Sequence, residues 1–473
     1  MPGSAHAGTG PAGSAELEAR IRAEVAPTAE LLARVARARD ALVELATAKA
    51  KAKGIPLVRA IVAGSAARAT FLSDRLDIDL FLLFDPKLSR EDLERDGLAL
   101  AGELFERSET RYAEHPYLRG EFAGFHVDAV PGYAVEDPSR PLSAVDRTPY
   151  HNEYLRERQT PAMVEEIRLA KRFLRAQGVY GSEARTQGLS GYLVELLILK
   201  FGSLDGLLGA AREWRAPVRV AFTAGAEPRV PPEVPLILDD PVDPNRNVAS
   251  ALSRRNFATL VLAAQAYLER PRDDFFEIRS PARVDLGAGV ELARERGSHI
   301  AVLTLLRPAL VDDILFPQIA KAARSIAEEA ERTGFRVLGT AFAASDRTFS
   351  VLVETAEAEV PAVRRQDGPP PGIARAEPFL EKWTAEGAPV LQGPFVAEDG
   401  RLAVESRRSD RGVEAILTSR LRQISLGRDL AKSLPADAGF YPLSVTAAAP
   451  ELPLALGELL AKRLPWLTDP APR

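Results

Sequence analysis

The sequence contains 473 residues, which corresponds to about three domains at roughly 150 residues each. Hydrophobic residues account for 46% and charged residues for 27%, as is usual for a globular protein. The absence of cysteine excludes disulfides, thiolate metal sites and cysteine nucleophiles, and agrees with a cytoplasmic location. The formal net charge of −5 excludes a globally basic protein, so any contact with nucleic acid must use local basic patches.

The first 16 residues are rich in glycine, alanine and proline. They lack the basic start and apolar core of a signal peptide, and we predict that they form a disordered tail. The longest apolar run, around residues 196–199, is interrupted by Glu195 and Lys200. No segment is therefore predicted to span a membrane.

Helical spacing of apolar residues alternates with short apolar runs through the first 150 residues, which indicates an α/β region. Thr28 is a predicted N-cap after a break near Pro27, and Ser89 with Asp92 has the spacing of a capping box. In chain order the predicted elements are two helices within residues 15–53, strands over 57–62 and 78–84, a helix over 89–107 and a short strand within 122–130.

The middle third is predicted to be mainly helical, and the last third to form a small α+β sandwich with one face of sheet. The predicted middle elements are helices over 160–178, 188–202 and 247–269, with an irregular proline-rich segment over 217–244. The predicted C-terminal elements are a strand over 299–306, a helix over 314–333, strands over 336–344 and 347–354, a loop over 366–372, a short helix over 379–383, a strand over 402–406 and a final helix over 409–434.

Two aspartates separated by one residue open the second predicted strand. Asp77 and Asp79 therefore project from the same face, where two like charges are costly unless a cation lies between them. Upstream, the Gly64-Ser65 turn offers backbone N–H groups and a hydroxyl to an anion. A cation site beside an anion site predicts a metal-bound nucleoside triphosphate. The alternative is that both aspartates are solvated turn residues.

A third acid, Asp128, lies in the next predicted strand between Val127 and Val130. Phosphoryl transfer needs neutralisation of the reacting phosphate and activation of a hydroxyl, and two divalent ions roughly 4 Å apart do both. Asp77 and Asp79 are predicted to bridge these ions, and Asp128 to complete the one that activates the hydroxyl. Carboxylate oxygens favour Mg²⁺. Ser65 and Arg68 are predicted to hold the triphosphate.

Other kinds of site have little support. The sequence contains neither the phosphate-binding G-x-x-x-x-G-K-[ST] pattern nor G-x-G-x-x-G, and Gly188-Leu-Ser-Gly191 has the wrong spacing for a nucleophile elbow. The five histidines show no metal-ligand spacing. They are His6, His115, His126, His151 and His299.

Gly64-Ser-x-x-Arg68 followed by Asp77-Ile-Asp79 resembles the DNA polymerase β-like nucleotidyltransferases, and more narrowly the archaeal-type (class I) CCA-adding enzymes. The resemblance covers roughly residues 17–435. Further matching stretches are His115-Pro-Tyr117 with Val127-Asp128-Ala-Val-Pro131; Ala144-Val-Asp-Arg-Thr-Pro149 with His151; Arg168-Leu-x-Lys171 to Gly178-Val-Tyr-Gly181; Gly188-Leu-Ser-Gly-Tyr192-Leu-x-Glu195-Leu-Leu197; Asp240-Pro-Val-Asp243 to Arg246-Asn-Val248; Phe379-Leu-Glu-Lys-Trp383; and Glu398-Asp-Gly-Arg-Leu402.

The resemblance implies that Asp77, Asp79 and Asp128 are the catalytic acids and the Mg²⁺ ligands. It also implies roles for nucleotide-binding side chains, which are Ser65, Arg68, His151, Lys171, Tyr180 and Arg246. Lys171 suits a phosphate as a point charge, and Arg246 matches a position for base and RNA-backbone contacts. Purely structural roles stay open: a solvated helix face for Lys171, helix-end packing for Tyr180 and a cap or loop ion pair for Arg246. After His151 the chain departs from the family pattern with Asn152-Glu153-Tyr154.

The implied function is template-independent addition of C, C and A to the 3′ end of tRNA, with CTP and ATP as substrates. The implied fold is α+β and multidomain. Its parts are a tail (1–16), a polymerase β-like nucleotidyltransferase head (17–150), a helical central domain (151–275) and a C-terminal α+β body and tail that hold tRNA (276–473). A homodimer is compatible with the sequence.

Two alternatives remain at this stage. One is another polymerase β-like RNA nucleotidyltransferase, either a poly(A) polymerase or an oligonucleotide synthase. The C-terminal resemblance over 299–408 argues against it. The other is a non-catalytic RNA-binding derivative, and the presence of all three acids argues against that.

Overall fold

The computed structural model describes residues 11–74, 76–112, 116–228, 230–231 and 233–467. Most of the predicted tail and His115 lie outside the described residues. Residues 11–16, which were predicted to be disordered, instead begin the first helix, α1 (Pro11–Val25). Proline is tolerated at the first helical position because its missing N–H would have no partner within the helix.

The chain divides into two compact units, which are Met1–Arg279 with Arg463–Arg473, and Ser280–Lys462. The division lies close to the predicted boundary after residue 275. The last described residues return to the first unit, where Trp466 is 3% exposed and stacks on Phe275 at a ring-centroid distance of 5.6 Å. Sequence patterns did not predict this return. The further division of the first unit at residue 150 stays a prediction.

A five-stranded sheet forms the scaffold of the predicted head. Its strands are β1 (Leu57–Ala63), β2 (Asp77–Phe84), β3 (Ser108–Tyr112), β4 (Pro116–Phe122) and β5 (Phe125–Tyr133). Their order is β1-β2-β5-β4-β3, with β2 and β5 parallel and the other neighbours antiparallel. The predicted strands correspond to β1, β2 and β5. Both β3 and β4 were missed because their sequences are short and lack a regular alternation of apolar residues.

The helices of this region are α2 (Ala29–Lys53), α3 (Gly64–Arg68) and α4 (Arg90–Gly102). The N-caps Thr28 and Ser89 are confirmed, since each hydroxyl accepts a hydrogen bond of 3.1 Å from the backbone N–H three residues later. Helix α4 ends at Gly102, earlier than the predicted residue 107. Phe105 lies beyond the helix end and packs directly on Gly120 of β4.

A helical region follows, built from α5 (Thr148–Arg158), α6 (Pro161–Ala176), α7 (Gly191–Phe201), α8 (Leu204–Ala211) and α9 (Arg254–Glu269). These helices enclose a second apolar core, to which α1 contributes Leu17 and Ile21. The predicted buried helix is α7, whose residues 193–198 are all buried.

The proline-rich segment predicted to be irregular contains the first strands of a small sheet. The strands are β6 (Val218–Val220), β7 (Leu236–Asp240) and β8 (Asp243–Asn247). The helix predicted from residue 247 therefore begins only at Arg254. Asn247 belongs to β8 instead, and its side chain bonds the backbone of Leu236 and Leu238.

The second unit contains helices α10 (Leu286–Arg296), α11 (Asp312–Thr333), α12 (Ala376–Thr384), α13 (Val413–Arg420), α14 (Arg428–Lys432) and α15 (Leu452–Leu460). Its strands are β9 (His299–Leu306), β10 (Val337–Ala344), β11 (Thr348–Thr355), β12 (Val363–Asp367), β13 (Val390–Val396), β14 (Leu402–Arg407) and β15 (Tyr441–Pro442). They form an antiparallel four-stranded sheet, β10-β11-β9-β15, and an antiparallel three-stranded sheet, β12-β14-β13.

Helices cover both faces of the four-stranded sheet, rather than the one face predicted. One apolar core joins alternate residues of β9 and β11 to α11 and α13, and the other joins the remaining alternate residues to α15. The predicted final helix over 409–434 is also two helices, α13 and α14. Between them Gly427 adopts a φ of 97°, which L side chains rarely adopt. Among the described residues, no helix has the length and apolar character needed to cross a membrane.

The packing of α4 on β5 predicts an unusual effect of adding one methyl group. A Cβ atom at Gly97 would lie 2.5 Å from the Pro131 side chain. We expect Gly97→Ala to lower the free energy of unfolding by about 1–3 kcal/mol through this overlap, although alanine normally favours a helix interior. The midpoint of urea unfolding measures the change. The matched control is Gly102→Ala in the same helix, whose nearest neighbour would lie 3.9 Å away. Equal stability of the two variants would contradict the predicted contact.

Candidate active site

Three aspartates converge because of the pairing of β2 with β5. The parallel register places Asp79 opposite Asp128, and Asp77 precedes Asp79 by two residues on the same strand face. The Asp77 side chain is 39% exposed and that of Asp128 is 13% exposed. The predicted triad is therefore assembled on one face of adjacent strands.

The electrostatics of this face favour a bound cation. The pKa of Asp79 is raised to about 7, first by burial and then by the charges of Asp128 and Asp77, against the opposing effect of Arg119 and Arg68. With a pKa of about 7, Asp79 is only partly ionised at neutral pH. A cation between the acids would stabilise its charged form. Carboxylate oxygens of this kind suit a hard divalent ion.

Arg119 on β4 places a positive charge beside two of these acids. In the antiparallel register it lies opposite Asp128, and its Nε and Nη2 atoms donate to both carboxylate oxygens at 2.6 Å. Its Nη2 also lies 3.6 Å from Asp77. The described residues accordingly contain no group of three acids or histidines already arranged around one metal ion. The three acids fit a divalent ion in chemistry and placement, provided that Arg119 releases Asp128.

Arg119 was not among the site residues predicted from the sequence. No local pattern marks it, because its contact with Asp128 depends on the pairing of β4 with β5. The available signal was a lone arginine between Leu118 and Gly120 in a strand that was itself not predicted. Its hydrogen bond to Asp128 is the largest cause of the raised pKa of this guanidinium, so it stays charged.

The Gly64-Ser65 turn lies directly against the acids. Ala63 pairs with Asp79 across the sheet, and Gly64 has a φ of 69°. A Cβ atom at Gly64 would lie 2.2 Å from Asp79 Oδ2, so only glycine brings the backbone this close. Helix α3 starts here, with Ser65 as its second residue.

A polar cavity of about 210 Å³ connects this turn with the helical region. Its lining residues are Ser65, Asp77, Asp79, Tyr180, Gly181, Ser182, Glu183, Ser190 and Gly191. Tyr180 reaches the cavity beside Gly191, where an added Cβ would lie 3.2 Å from the tyrosine hydroxyl. Four predicted residues, Ser65, Asp77, Asp79 and Tyr180, therefore share one cavity.

Arg68 and Lys171 are placed differently, because both bind Glu195. Arg68 Nε donates to Glu195 at 2.9 Å and Lys171 Nζ donates at 3.0 Å. Thr70 donates to the same carboxylate at 2.7 Å, and also accepts from Lys171. The side chains of Arg68, Lys171 and Glu195 are only 7%, 2% and 2% exposed. Their contacts join α3 to α6 and α7, and the predicted phosphate contacts of Arg68 and Lys171 stay predictions.

Glu195 is held in its charged form. Burial alone would raise its pKa, but Lys171 and Arg68, together with the hydrogen bonds from Arg68 and Thr70, bring the pKa well below its usual range. One carboxylate thus faces two cations, which leaves an excess of one positive charge beside the turn at Gly64. Glu195 belongs to a sequence stretch that resembles the CCA-adding enzymes. Its spacing in the sequence did not indicate that Arg68, Thr70 and Lys171 would contact it.

His151 and Arg246 meet at a second buried carboxylate, Asp240. His151 Nε2 lies 2.8 Å from Asp240 Oδ2, and Arg246 Nη1 donates to the same oxygen at 2.7 Å. Tyr192 donates to the other oxygen at 3.0 Å and stacks on the His151 ring at 4.0 Å. Burial lowers the pKa of His151 despite the opposing effect of Asp240. Asp240 therefore holds in place two residues that the sequence predicted separately.

Models of three known families match successive parts of the chain. The nucleotidyltransferase domain matches residues 46–151, the second domain of tRNA nucleotidyltransferase matches 165–277, and the C-terminal domain of CCA-adding enzyme matches 296–440. The first match contains all three aspartates and the Gly64-Ser65 turn. Nucleotidyltransferases of this kind generally use divalent metal ions. The predicted nucleotidyltransferase head and the α+β multidomain class are confirmed.

Similar proteins cover nearly the whole chain. The CCA-adding enzyme of Haloarcula marismortui is 38% identical over 434 residues, covering 88% of this chain and 91% of that protein. The CCA-adding enzyme of Halobacterium salinarum is 37% identical over 410 residues, covering 86% and 89%. That of Methanosarcina barkeri is 35% identical, covering 89% and 92%.

Similarity to solved structures is weaker. CdnC of E. coli MS115-1 in a structure with ATP has a TM-score of 0.44 at 17% identity, covering 55% of this chain and 94% of that one. The relationship therefore depends on the sequence relatives and on the family models. Together they show that this chain belongs to the archaeal-type CCA-adding enzymes, the tRNA nucleotidyltransferases with a polymerase β-like head.

Proposed function

We propose that this protein adds C, C and A to the 3′ end of tRNA, using CTP and ATP. The observation that supports this proposal most directly is the face formed by Asp77, Asp79 and Asp128 beside the Gly64-Ser65 turn. It supplies the chemistry of nucleotidyl transfer within a chain that matches CCA-adding enzymes over 86–89% of its length. The 3′-oxygen of the tRNA forms a bond to the α-phosphorus of the nucleotide, and the bond from that phosphorus to the departing pyrophosphate breaks.

Asp77 and Asp79 would hold Mg²⁺, with Asp128 as the further ligand. Bound Mg²⁺ would supply neutralisation of phosphate charge and a lower pKa for the attacking hydroxyl. Arg119 compensates the charge of Asp128, and we expect it to turn away from this carboxylate when Mg²⁺ binds.

The nucleotide would occupy the cavity between α3 and Tyr180. Ser65 and the first N–H groups of α3 would bind its phosphates, and the Tyr180 hydroxyl would donate to its sugar or phosphate. Arg68 and Lys171 border this region but are bound to Glu195, so a direct phosphate contact would require either cation to exchange partners. We assign them first to holding the turn in place.

Base selection is assigned to the group around Asp240. Arg246 presents a planar set of donors, and its side chain remains 35% exposed while Asp240 holds it. His151, kept neutral by burial, contributes a hydrogen bond whose direction Asp240 controls. Cytoplasmic location accompanies this function, and the homodimer stays a prediction that size-exclusion chromatography with light scattering checks.

Nucleotide incorporation tests the reaction itself. We expect the purified protein, with Mg²⁺ and tRNA lacking its last three nucleotides, to incorporate labelled CTP twice and then ATP once. Gel resolution of the products measures the order and the number of additions. Long homopolymer tails would favour the poly(A) polymerase alternative, labelling without tRNA would favour the oligonucleotide synthase, and RNA binding without incorporation would favour the non-catalytic derivative.

Removal of single charges tests the acids. We expect Asp79→Asn and Asp128→Asn each to lower the rate of C addition by at least about 100-fold, because each loses several kcal/mol of transition-state stabilisation. Single-turnover assays at saturating tRNA measure this rate. Asp85→Asn, an exposed aspartate just beyond β2, is the matched control. Activity retained by either catalytic variant would contradict the assignment of that acid.

Replacement of Glu195 tests whether its two cations depend on it. We expect Glu195→Gln to lower the free energy of unfolding at pH 7 by about 3 kcal/mol, because Arg68 and Lys171 would remain buried without a counter-charge. The folded-state pKa is lowered, so Glu195 contributes its stability above the ordinary value of 4.5 and loses it as pH falls below that value. The difference between the two proteins should therefore shrink in acid.

Urea unfolding at pH 7 and at pH 3.5 measures the two differences. Glu157→Gln serves as the control, since Glu157 is 54% exposed on α5. A loss of activity with unchanged stability at pH 7 would contradict the structural role and favour a direct role of Glu195 in substrate binding.

A further inference from the structure

A second polar pocket lies in the second unit. It has a volume of about 180 Å³ and its lining includes four arginines. Arg364 is on β12, Arg407 ends β14, Arg408 follows directly, and Arg420 ends α13. The chain as a whole carries a net charge of −5, so this grouping does not follow from a general excess of basic residues.

Strand pairing builds the floor of this pocket. Arg364 lies opposite Ser406 in the antiparallel register of β12 with β14, and the Arg408 N–H donates to the Ala362 carbonyl at 2.8 Å. Gln366 donates to the Ser406 hydroxyl at 3.0 Å, and Ser406 is buried. The backbones that carry Arg364 and Arg408 are therefore held by regular sheet hydrogen bonds rather than by a free loop.

The charges of the pocket are not balanced. Within the described part of the chain, the guanidinium groups of Arg364, Arg407 and Arg408 have no carboxylate partner. Arg420 is paired with Glu329 at 3.0 Å. The acid among the lining residues is Asp410, which is exposed and accepts a hydrogen bond from its neighbour Ser409. The pocket therefore carries an excess of positive charge.

Arg408 is the most constrained of the four. Its Nε is buried without a hydrogen-bond partner among the described residues. Burial lowers the pKa of this guanidinium, and the nearby charges of Arg364 and Arg420 lower it further. Arg408 passes over the end of α11, where its Nη2 would lie 3.2 Å from a Cβ built on Gly334. The C-terminus of a helix carries roughly half a negative charge, too little to balance three guanidinium groups.

We propose that this pocket binds a phosphate group of the RNA backbone. A phosphate offers several oxygens to planar guanidinium forks, and a site of this size admits one such group with two or three arginines around it. Proteins hold duplex RNA mainly through its shape and its phosphates, which carry no base identity. The identification of the phosphate as part of RNA rests on the proposed function.

The salt dependence of tRNA binding tests this proposal. In the full-length protein we expect Arg364→Gln with Arg407→Gln to raise the Kd for tRNA lacking its CCA end roughly tenfold near 0.1 M salt. The slope of log Kd against log salt should fall in magnitude by about 1 for each phosphate contact that is lost. Filter binding over a range of NaCl concentrations measures both quantities. The KM for CTP and the kcat at saturating tRNA should stay unchanged.

Arg365→Gln is the matched control. Arg365 is the neighbour of Arg364 on the same strand, is exposed, is paired with Asp367 at 3.0 Å, and is not part of the pocket lining. The same Kd and the same salt slope for the double variant as for this control would overturn the proposal. Circular dichroism and thermal unfolding of all variants show whether the fold is retained, and Arg364→Lys, which keeps the charge, should recover part of the affinity if the pocket binds phosphate.

Binding of free anions distinguishes a site for the RNA backbone from a site for a free phosphate. If the double variant loses binding of inorganic phosphate or pyrophosphate but keeps the wild-type Kd for tRNA, the pocket binds a free anion and its assignment to RNA is overturned. These measurements require binding and not catalysis. A wild-type protein that binds tRNA but fails to add nucleotides would therefore contradict the proposed function while still deciding the role of the pocket.

Discussion

The parallel pairing of β2 with β5 is the constraint on which the site depends. It places Asp79 and Asp128 side by side, with Asp77 on the same face, at the point where Gly64 brings the chain against Asp79. Three carboxylates in such a small space repel one another, and burial together with this repulsion raises the pKa of Asp79. The face therefore gains stability from a cation, and the guanidinium of Arg119 provides one.

Buried carboxylates organise the surroundings in a consistent way. Glu195 draws Arg68 and Lys171 together and thereby joins α3 to the helical region, while Asp240 draws His151 and Arg246 together. Removing one partner from a buried ion pair is costly, so each carboxylate enforces one arrangement of its cations. The residues closest to the acids thus divide into those that line the cavity and those that hold its walls.

The basic residues around Glu195 and those around Arg408 differ in whether the fold supplies their counter-charges. Around Glu195 the cations are buried and paired, which indicates a structural role before any ligand arrives. In the pocket around Arg408, the guanidinium groups of Arg364, Arg407 and Arg408 lack carboxylate partners among the described residues, which indicates a site that an external anion completes. The number of arginines therefore matters less than whether the fold supplies their counter-charges.

Sequence patterns alone predicted the shared face of Asp77 and Asp79, the Gly64-Ser65 turn beside them, the caps Thr28 and Ser89, and the α+β class. These features depend on residues near one another in the chain, where strand alternation and helix capping act directly. The many short stretches in a common order also identified the family. Short strands such as β3, β4 and β6 escaped detection, because their pairing partners rather than their own patterns stabilise them.

Which charged groups come into contact depends on the tertiary structure. Arg119 binds Asp128 because β4 and β5 are neighbours, and Lys171 binds Glu195 because α6 packs on α7. Local sequence carries no signal for either contact, since it specifies a side chain and its direction but not the charge that lies opposite. For that reason the chemistry of the three acids could be predicted from the sequence, whereas the partners that hold Arg68, Lys171, His151 and Arg246 could not.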